Sequence, residues 1–295
     1  MNFIYPEKDS IKKIKMIVCD LDGTLYDHQS HISNQTIELL IQLQQSGYTL
    51  VLATGRYYAE LQNLIQLLKL KDYHGFVVCT NGVEIYDVSK NKMIHAFSYV
   101  NHQDALKMIQ QAKQKHIMSY YYDCHQYHVI ADNVNFLLIQ LLKIILYPIH
   151  ILTHHHLIDG LYRLSFQKEV KDVKQFHKLC FFASSKKINK WTKYINLKYP
   201  AYVFYSVNPK VTELVHQSVS KYNAVEYIVR YLNMSMSQVL AFGDSGNDIV
   251  LLQKSGIGVA MKNAQKDVFK ATPYQTQYTN NEDGIYYYLK DLFSI

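Results

Sequence analysis

The sequence predicts an α/β protein, with a doubly wound parallel sheet that is interrupted by a second, α+β domain. Short apolar runs that are typical of buried strands end in polar motifs, at Asp20 and Asp22, at Thr54 and at Asp244. Segments with helical spacing separate these strands, which is the alternation of a parallel sheet. From about residue 85 the chain becomes dense in aromatic residues and histidine, which indicates an inserted domain.

The composition limits the function classes. A chain of 295 residues holds one large domain or two modest ones, and a hydrophobic content of 48% excludes a disordered protein. The formal net charge of +7 suits an anionic substrate. Because the charge is spread along the chain without a Lys/Arg run, we expect no nucleic-acid partner.

The cysteines have no metal-binding spacing, so we expect four reduced thiols in a cytoplasmic protein: Cys19, Cys79, Cys124 and Cys180. Residues 1–10 contain no apolar run, which argues against a signal peptide. Residues 136–152 are the most apolar stretch, but they are short for a membrane span and include Lys143 and Pro148. We predict a packed helix there and no membrane partner.

The first strand, Met16 to Cys19, ends in two carboxylates. Asp20 and Asp22 are two residues apart and share one face of an extended chain. Two acids at this point repel each other unless a cation, or an anionic substrate with its metal, lies between them. The alternative is an ordinary strand followed by the turn that Gly23 allows.

A helix from about residue 33 to 47 precedes the second strand, 48–53, which ends in Thr54, Gly55 and Arg56. In open α/β sheets, ligands bind at the carboxyl ends of the strands. The Thr54 hydroxyl could hold a phosphate, cap the following helix, or do both. Arg56 could pair with a phosphate or with the rest of a substrate.

A helix over 57–70 leads to a third strand, 75–79, and then to Asn81 and Gly82, with more strand at 83–85. Asn-Gly on its own is a turn signal. The inserted segment is predicted to contain helices at 101–116, 134–147 and 170–183, and strands at 117–122, 127–131, 161–167, 202–207 and 211–215, with a hairpin turn at 123–126.

Two features of the insert concern ligands. Three consecutive histidines, His154 to His156, cannot all face one ion from a strand, so a surface loop is predicted rather than a metal site. The side chains that could face a substrate are Tyr120, Tyr122, His125 and Arg163.

The last strong motif follows an apolar strand, 239–242, and reads Gly-Asp-Ser-Gly-Asn-Asp over residues 243–248. An Asp-rich turn is the simpler interpretation. However, Asp244 and Asp248 would converge with Asp20 at the same edge of a parallel sheet. Carboxylates from separate strand ends provide the hard oxygen ligands that Mg²⁺ requires.

These motifs together resemble the haloacid dehalogenase-like phosphohydrolases, over both ends of the chain and in the family's order. The resemblance implies that Asp20 is the nucleophile and that Asp22 is the general acid and base. It also implies a Mg²⁺ site formed by Asp20, the backbone carbonyl of Asp22, and Asp244, with Asp248 supporting the metal and its waters.

Residues 218–225 match the family's third motif in register, which implies that Lys221 neutralises the phosphate and the nucleophile. The family usually has glycine after this lysine, where this chain has Tyr222. The residues that the resemblance assigns to phosphate or substrate binding are Thr54, Gly55, Arg56, Asn81, Lys221 and Asn247.

The position and length of the insert resemble the C2B cap of the family's Cof-type branch, subfamily IIB. This implies a catalytic core made of residues 1–84 and 208–295, and an α+β cap, 85–207, that sets substrate specificity.

The predicted activity is Mg²⁺-dependent hydrolysis of small phosphate monoesters through an aspartyl phosphate. The partner is a small phosphorylated metabolite: a hexose phosphate, another sugar phosphate, or a cofactor such as flavin mononucleotide or pyridoxal phosphate. Two alternatives stay open, a phosphosugar mutase with the same aspartyl chemistry and a non-enzymatic sensor of phosphorylated metabolites. The protein is expected to be a monomer or a homodimer.

Overall fold

The structure is a computed structural model that describes residues 4–122, 127–133, 135–139, 141–142, 165–167, 169–170, 173 and 175–294. The chain divides into two compact units. The first combines Met1–Phe97 with Ser218–Ile295, and the second is Ser98–Gln217.

The helices whose two ends both lie in the described part of the chain are α1 Lys8–Lys13, α2 Asn34–Gln45, α3 Gln62–Leu67, α4 His102–Gln114, α5 Ser185–Lys198, α6 Lys221–Tyr231, α7 Ile249–Lys254 and α8 Gly284–Phe293. The strands are β1 Met16–Cys19, β2 Thr49–Ala53, β3 Phe76–Cys79, β4 Glu84–Asp87, β5 Lys92–Ala96, β6 Met118–Tyr122, β7 Tyr127–Ile130, β8 Ser165–Gln167, β9 Leu179–Phe182, β10 Tyr202–Asn208, β11 Val211–His216, β12 Val239–Gly243, β13 Ile257–Ala260 and β14 Tyr274–Gln275.

The first unit is built on an eight-stranded sheet with the order β14-β13-β12-β1-β2-β3-β4-β5. The six strands from β14 to β3 are parallel, and β4 and β5 extend the sheet as an antiparallel edge. The chain builds outward from β1 to β3 on one side and later from β12 to β14 on the other. The switch point of a doubly wound sheet, where ligands bind, therefore lies between β1 and β12.

Helices cover both faces of this sheet, because successive side chains of each buried strand point to opposite faces. In β1, Ile17 and Cys19 join the core under α2, α3 and α8, whereas Met16 and Val18 join the core under α6 and α7. A strand that is buried on both faces has to be apolar throughout. The predicted fold class is confirmed.

The second unit is built on a six-stranded sheet with the order β10-β11-β9-β6-β7-β8. All its pairs are antiparallel except β7 and β8, which are parallel. Helices α4 and α5 contribute to its core, where Met108 and Trp191 join strand residues such as Tyr121 and Phe181. This is the α+β character predicted for the insert.

The division between the units differs from the predicted boundaries of 84/85 and 207/208. Strands β4 and β5 pair with the first sheet, so the insert begins only at Ser98. Strand β11 pairs with β10 and β9 in the second sheet, so the first unit resumes at Ser218. In both places the hydrogen-bonding partners of a strand, which its own sequence does not specify, set the boundary.

The helix predicted over 170–183 is wrong. Leu179–Phe182 is strand β9, an interior strand between β6 and β11. Leu179 and Phe181 face the helices, while Cys180 pairs with Tyr120 and Glu213 on its two neighbours. An apolar run of this length is ambiguous, because an interior strand and a buried helix have the same continuous apolar pattern.

Several predictions fall outside the described residues: the turn at 123–126, the loop at His154 to His156, Cys124, His125, Arg163, and parts of the segments at 134–147 and 161–167. Cys19, Cys79 and Cys180 are buried free thiols. Within the described ranges, no helix has both the length and the apolar composition needed to cross a membrane.

Candidate active site

The Asp20 carboxylate lies at the carboxyl end of β1 and is 6% exposed. Its backbone N–H donates to the Phe242 carbonyl oxygen of β12 at 3.2 Å, which continues the pairing of the two strands past their ends. Pairing on both sides of β1 therefore fixes the position of Asp20. Burial raises its pKa well above the ordinary value for aspartate, and Lys221 opposes this shift without cancelling it.

Lys221 is the first residue of α6, and its side chain is fully buried. The ammonium donates to Asp20 Oδ1 at 2.6 Å and to Asp248 Oδ1 at 2.7 Å. Burial alone would lower the lysine pKa, but the charges of Asp20 and Asp248 outweigh it and raise the pKa. The ammonium is therefore a fixed cation between two acids from different strand ends.

Tyr222 does not disturb this arrangement. Its hydroxyl donates to Glu226 Oε1 at 2.7 Å, one turn along the same helix. Ser220 caps α6 by accepting from the Asn223 N–H at 3.0 Å, so the helix starts at Lys221 without a glycine after it.

Gly82 determines how closely α6 approaches the turn after β3. Its φ is +111°, and a Cβ there would lie 2.3 Å from the Ser220 carbonyl oxygen. We expect Gly82→Ala to lower the free energy of unfolding by about 2–4 kcal/mol, through backbone strain and overlap with the helix start. Urea denaturation measures this. Gly246→Ala is the matched control, since a Cβ at Gly246 has no atom within 4 Å, and equal stability of the two variants would contradict the prediction.

The loop after β12 folds around the Asp248 carboxylate, which is fully buried. Asp248 Oδ2 accepts from the backbone N–H groups of Asp244 at 3.2 Å and Ser245 at 3.1 Å. Its other oxygen accepts from Lys221. Both oxygens are therefore satisfied inside the protein, and this ties the loop to the start of α6.

Asp20, Asp244 and Asp248 form an acidic cluster in which one oxygen from each lies within 4.8 Å of the others. Burial, and then the charge of Asp248, raises the pKa of Asp244 to about 6. Thr24 Oγ1 donates to Asp244 Oδ1 at 3.2 Å. The raised pKa values of Asp20 and Asp244 indicate that these close, buried carboxylates are not fully neutralised by Lys221. Hard oxygen donors at this spacing fit a divalent cation.

Gly23 allows the β1 loop to pass directly over this cluster. Its φ is +83°, and a Cβ there would lie 2.6 Å from Asp244 Oδ2. The Gly23 carbonyl oxygen accepts from Asn263 Nδ2 at 2.7 Å, which anchors the loop. The sequence analysis assigned no site role to Asn263.

The Asp22 carboxylate lies outside the acidic cluster and is 57% exposed. Arg56 binds both of its oxygens: Nε donates to Oδ2 at 2.9 Å, and a terminal nitrogen donates to Oδ1. Asp22 and Arg56 were both predicted as site residues, but nothing in the sequence indicated that their side chains form an ion pair.

The remaining predicted residues lie at the neighbouring strand ends. Thr54 is fully buried after β2, and its hydroxyl accepts from the Arg56 N–H at 3.1 Å. Asn247 Nδ2 donates to Asn81 Oδ1 at 2.8 Å, and a Cβ on Gly55 would lie 3.1 Å from that oxygen. The structure therefore brings Gly55, Asn81 and Asn247 together.

Ser245 is a site residue that the prediction missed. Its hydroxyl donates to Asn247 Oδ1 at 2.6 Å, which fixes the orientation of the Asn247 amide. Its position inside the 243–248 motif was the available signal, but serine is common in such turns.

Comparisons with known proteins agree with this fold. The sequence profile of the haloacid dehalogenase-like hydrolases matches residues 17–289. A 5-amino-6-(5-phospho-D-ribitylamino)uracil phosphatase of Bacillus subtilis is 27% identical, over 92% of this chain and 93% of its own length.

Two solved structures have the same fold. A haloacid dehalogenase-like hydrolase from Bacteroides thetaiotaomicron superimposes with a TM-score of 0.77 at 25% identity, over 95% of this chain and all of the other. A HAD subclass IIB sugar phosphatase gives a TM-score of 0.74 at 23% identity, over 95% and 100% of the two chains.

The family match over residues 17–289 defines the class of protein, a hydrolase. The chain belongs to the haloacid dehalogenase-like hydrolases. The prediction of a phosphatase from this family is confirmed.

Proposed function

We propose that the protein is a Mg²⁺-dependent phosphatase that hydrolyses small phosphate monoesters through an aspartyl phosphate on Asp20. The observation that carries this proposal is the placement of Asp20, which lies in the acidic cluster and is held at 2.6 Å by the Lys221 ammonium. A buried carboxylate beside a fixed cation is well placed to meet an anionic phosphoryl group.

Asp20, Asp244 and the backbone carbonyl of Asp22 would hold Mg²⁺, and Asp248 would support them. When bound, the ion supplies positive charge that offsets the charge of the phosphoryl group and of the acidic cluster. Asp248 supports the site indirectly, because its oxygens accept from Lys221 and from the amides of Asp244 and Ser245.

In the first step, an Asp20 carboxylate oxygen attacks phosphorus and the bond from phosphorus to the ester oxygen breaks. The ester oxygen takes the proton of the Asp22 carboxyl group and leaves as an alcohol. This divides a difficult hydrolysis into two easier displacements.

In the second step, a water oxygen attacks the phosphorus of the aspartyl phosphate. One water proton passes to the Asp22 carboxylate, and the bond from phosphorus to the Asp20 oxygen breaks. Inorganic phosphate leaves, and both side chains return to their starting states.

The phosphoryl oxygens would be held by the Thr54 hydroxyl, the Lys221 ammonium and the Asn247 amide. Three observations support this assignment: Thr54 and Lys221 are buried, and the Asn247 amide is oriented by Ser245 and Asn81. Gly55 and Asn81 would line the phosphate site beside Asn247, since the Gly55 backbone lies close to the Asn81 side chain.

The substrate class that we propose is a phosphorylated sugar, sugar alcohol or small cofactor. Two relatives support it: one is named for a phosphoribitylamino uracil and another for sugar phosphates. The moderate positive net charge is compatible with such anions.

The test is phosphate release from a panel of glucose 6-phosphate, ribose 5-phosphate, flavin mononucleotide, pyridoxal phosphate and the phosphoribitylamino uracil. We expect release from at least one ester with Mg²⁺, and a loss of at least about 100-fold with a chelator that is reversed by added Mg²⁺. Transfer of phosphate between positions of one sugar without release would indicate the mutase. Binding without any turnover would indicate the sensor, and either result would overturn the proposal.

A further inference from the structure

The Arg56 side chain is committed to Asp22. Its Nε and one terminal nitrogen bind the two oxygens of a single carboxylate, and this bidentate geometry fixes the plane of the carboxylate as well as its distance. The side chain of Arg56 is 29% exposed, so the pair lies partly inside the protein, where its geometry is better defined than that of a solvated surface pair.

Arg56 is itself held on several sides. Its guanidinium lies 4.9 Å from the centre of the Tyr26 ring and 3.5 Å from Ser30 Oγ. Its backbone N–H donates to Thr54 Oγ1 at 3.1 Å. From the turn after β2, the guanidinium therefore contacts three residues of the loop after β1: Asp22, Tyr26 and Ser30. Asp22 and Tyr26 are also joined to each other by a β-bridge.

These contacts set Arg56 apart from the residues proposed to bind phosphate. The two nitrogens that would form a fork around a phosphate are already donating to the Asp22 carboxylate. Lys221, by contrast, donates directly to the nucleophile Asp20. Asp22 is 57% exposed, and Arg56 donates to both oxygens of its carboxylate, so the Arg56 contact accounts for its orientation.

We propose that Arg56 is a positioning residue for the general acid and base, and that it orients the Asp22 carboxyl group toward the leaving oxygen. This inference rests on the proposed function. Proton transfer requires the donor within hydrogen-bonding distance of the leaving oxygen, so the orientation of Asp22 controls how fast esters with poor leaving groups react. Esters whose leaving group departs without a proton depend much less on the orientation of Asp22.

The experiment compares kcat/KM for p-nitrophenyl phosphate, whose leaving group needs no proton, with kcat/KM for glucose 6-phosphate, whose leaving group needs one. This ratio reports on the steps up to formation of the aspartyl phosphate, so the later hydrolysis does not enter. The variants are Arg56→Met and Arg56→Lys, with Asp22→Asn as the reference. Arg230→Met is the control, since Arg230 pairs with Glu226 on an exposed face of α6.

We expect Arg56→Met to lower kcat/KM for glucose 6-phosphate by about 100-fold, with a loss for p-nitrophenyl phosphate that is at least about 10-fold smaller. Arg56→Lys should recover only part of the loss, because an ammonium cannot form the planar fork. Combining Arg56→Met with Asp22→Asn should add little to the effect of Asp22→Asn alone, since both remove one function.

An equal loss for both esters through KM would show that Arg56 binds the phosphate, and would overturn the inference. A decrease in kcat that is equal for the two esters, or no decrease in kcat/KM for glucose 6-phosphate, would also overturn the inference. Retained turnover of p-nitrophenyl phosphate shows that a variant is folded, and Arg56→Lys provides the comparison if Arg56→Met does not fold. If the parent releases phosphate from no ester of the panel, the proposed function itself fails; if it hydrolyses another ester of the panel but not glucose 6-phosphate, that ester takes the place of glucose 6-phosphate in the comparison.

Discussion

Asp20→Asn is expected to lower the rate of phosphate release by at least about 10⁴-fold, the size of effect seen when a covalent nucleophile is removed. The amide keeps the shape of the side chain and can still accept from Lys221, but it cannot form an aspartyl phosphate. Steady-state phosphate release with the best ester of the panel measures the effect.

The fold should tolerate this change. Because burial raises the pKa of Asp20, its ionised form is disfavoured in the folded protein relative to the unfolded chain. For a raised carboxyl pKa, the stabilising contribution is fully present below the ordinary aspartate pKa, and it is lost as the pH rises from there through the raised pKa of the folded protein. The asparagine of the variant does not ionise, so its free energy of unfolding does not fall in this way as the pH rises. In chelator at neutral pH, the variant should therefore be at least as stable as the parent.

Asp72→Asn is the matched control for activity, since Asp72 is exposed and lies outside the site. It should turn over at the parent rate. A folded Asp20→Asn protein that retains more than a tenth of the parent activity would show that Asp20 is not the nucleophile.

Lys221→Met is expected to lower the free energy of unfolding by about 3–5 kcal/mol at neutral pH, the cost of removing one partner from a buried ion pair. The methionine fills most of the volume but leaves Asp20, Asp244 and Asp248 crowded without their internal cation. Phosphate release should fall by at least about 100-fold, because a fixed positive charge at the phosphoryl group is lost. Urea denaturation in chelator and steady-state kinetics measure the two effects.

The stability loss should be smaller at pH 5 than at pH 8. Without the ammonium, the pKa of Asp20 moves further in the direction it has already shifted, and a protonated carboxyl group tolerates burial. Adding Asp248→Asn to Lys221→Met should recover part of the stability, since it removes one of the uncompensated charges. Lys270→Met is the control, because Lys270 and its partner Asp267 are both exposed. Equal stability of Lys221→Met and the parent at pH 8 would contradict the role of the lysine.

The parallel core and the positions of the acids could be predicted from the sequence because local pattern determines both. Apolar runs such as Met16–Cys19 are buried on both faces, and a polar motif at the end of each run lies at a known edge of the sheet. The acidic cluster of Asp20, Asp244 and Asp248 follows from that rule.

The errors arose where tertiary partners decide the outcome. Strand β9 was predicted as a helix, because its neighbours β6 and β11 are distant in sequence. Strand β5 was missed because it is an edge strand whose residues are exposed or half-buried, so its apolar pattern is weak. Helix α5 was also missed, although Ile188, Trp191 and Ile195 have helical spacing.

Within the site, the sequence could indicate which residues gather but not which ones pair. Asp22 was assigned to the site with Asp20, yet its carboxylate pairs with Arg56 and lies outside the acidic cluster. Whether a side chain turns toward one neighbour or another depends on rotamers and loop geometry, and the spacing of residues does not encode these. The roles assigned to the individual site residues therefore stay predictions.

The position of β1 between β2 and β12 has a consequence for synthesis on the ribosome. Residues 16–19 emerge early and can pair at once with Thr49–Ala53, but their other edge stays open until Val239–Gly243 has been made. An open edge of an apolar strand is a template for intermolecular pairing. Nascent chains that stall within the insert should therefore aggregate readily, and Asp20 acquires its lysine and its fellow carboxylates only in the last quarter of translation.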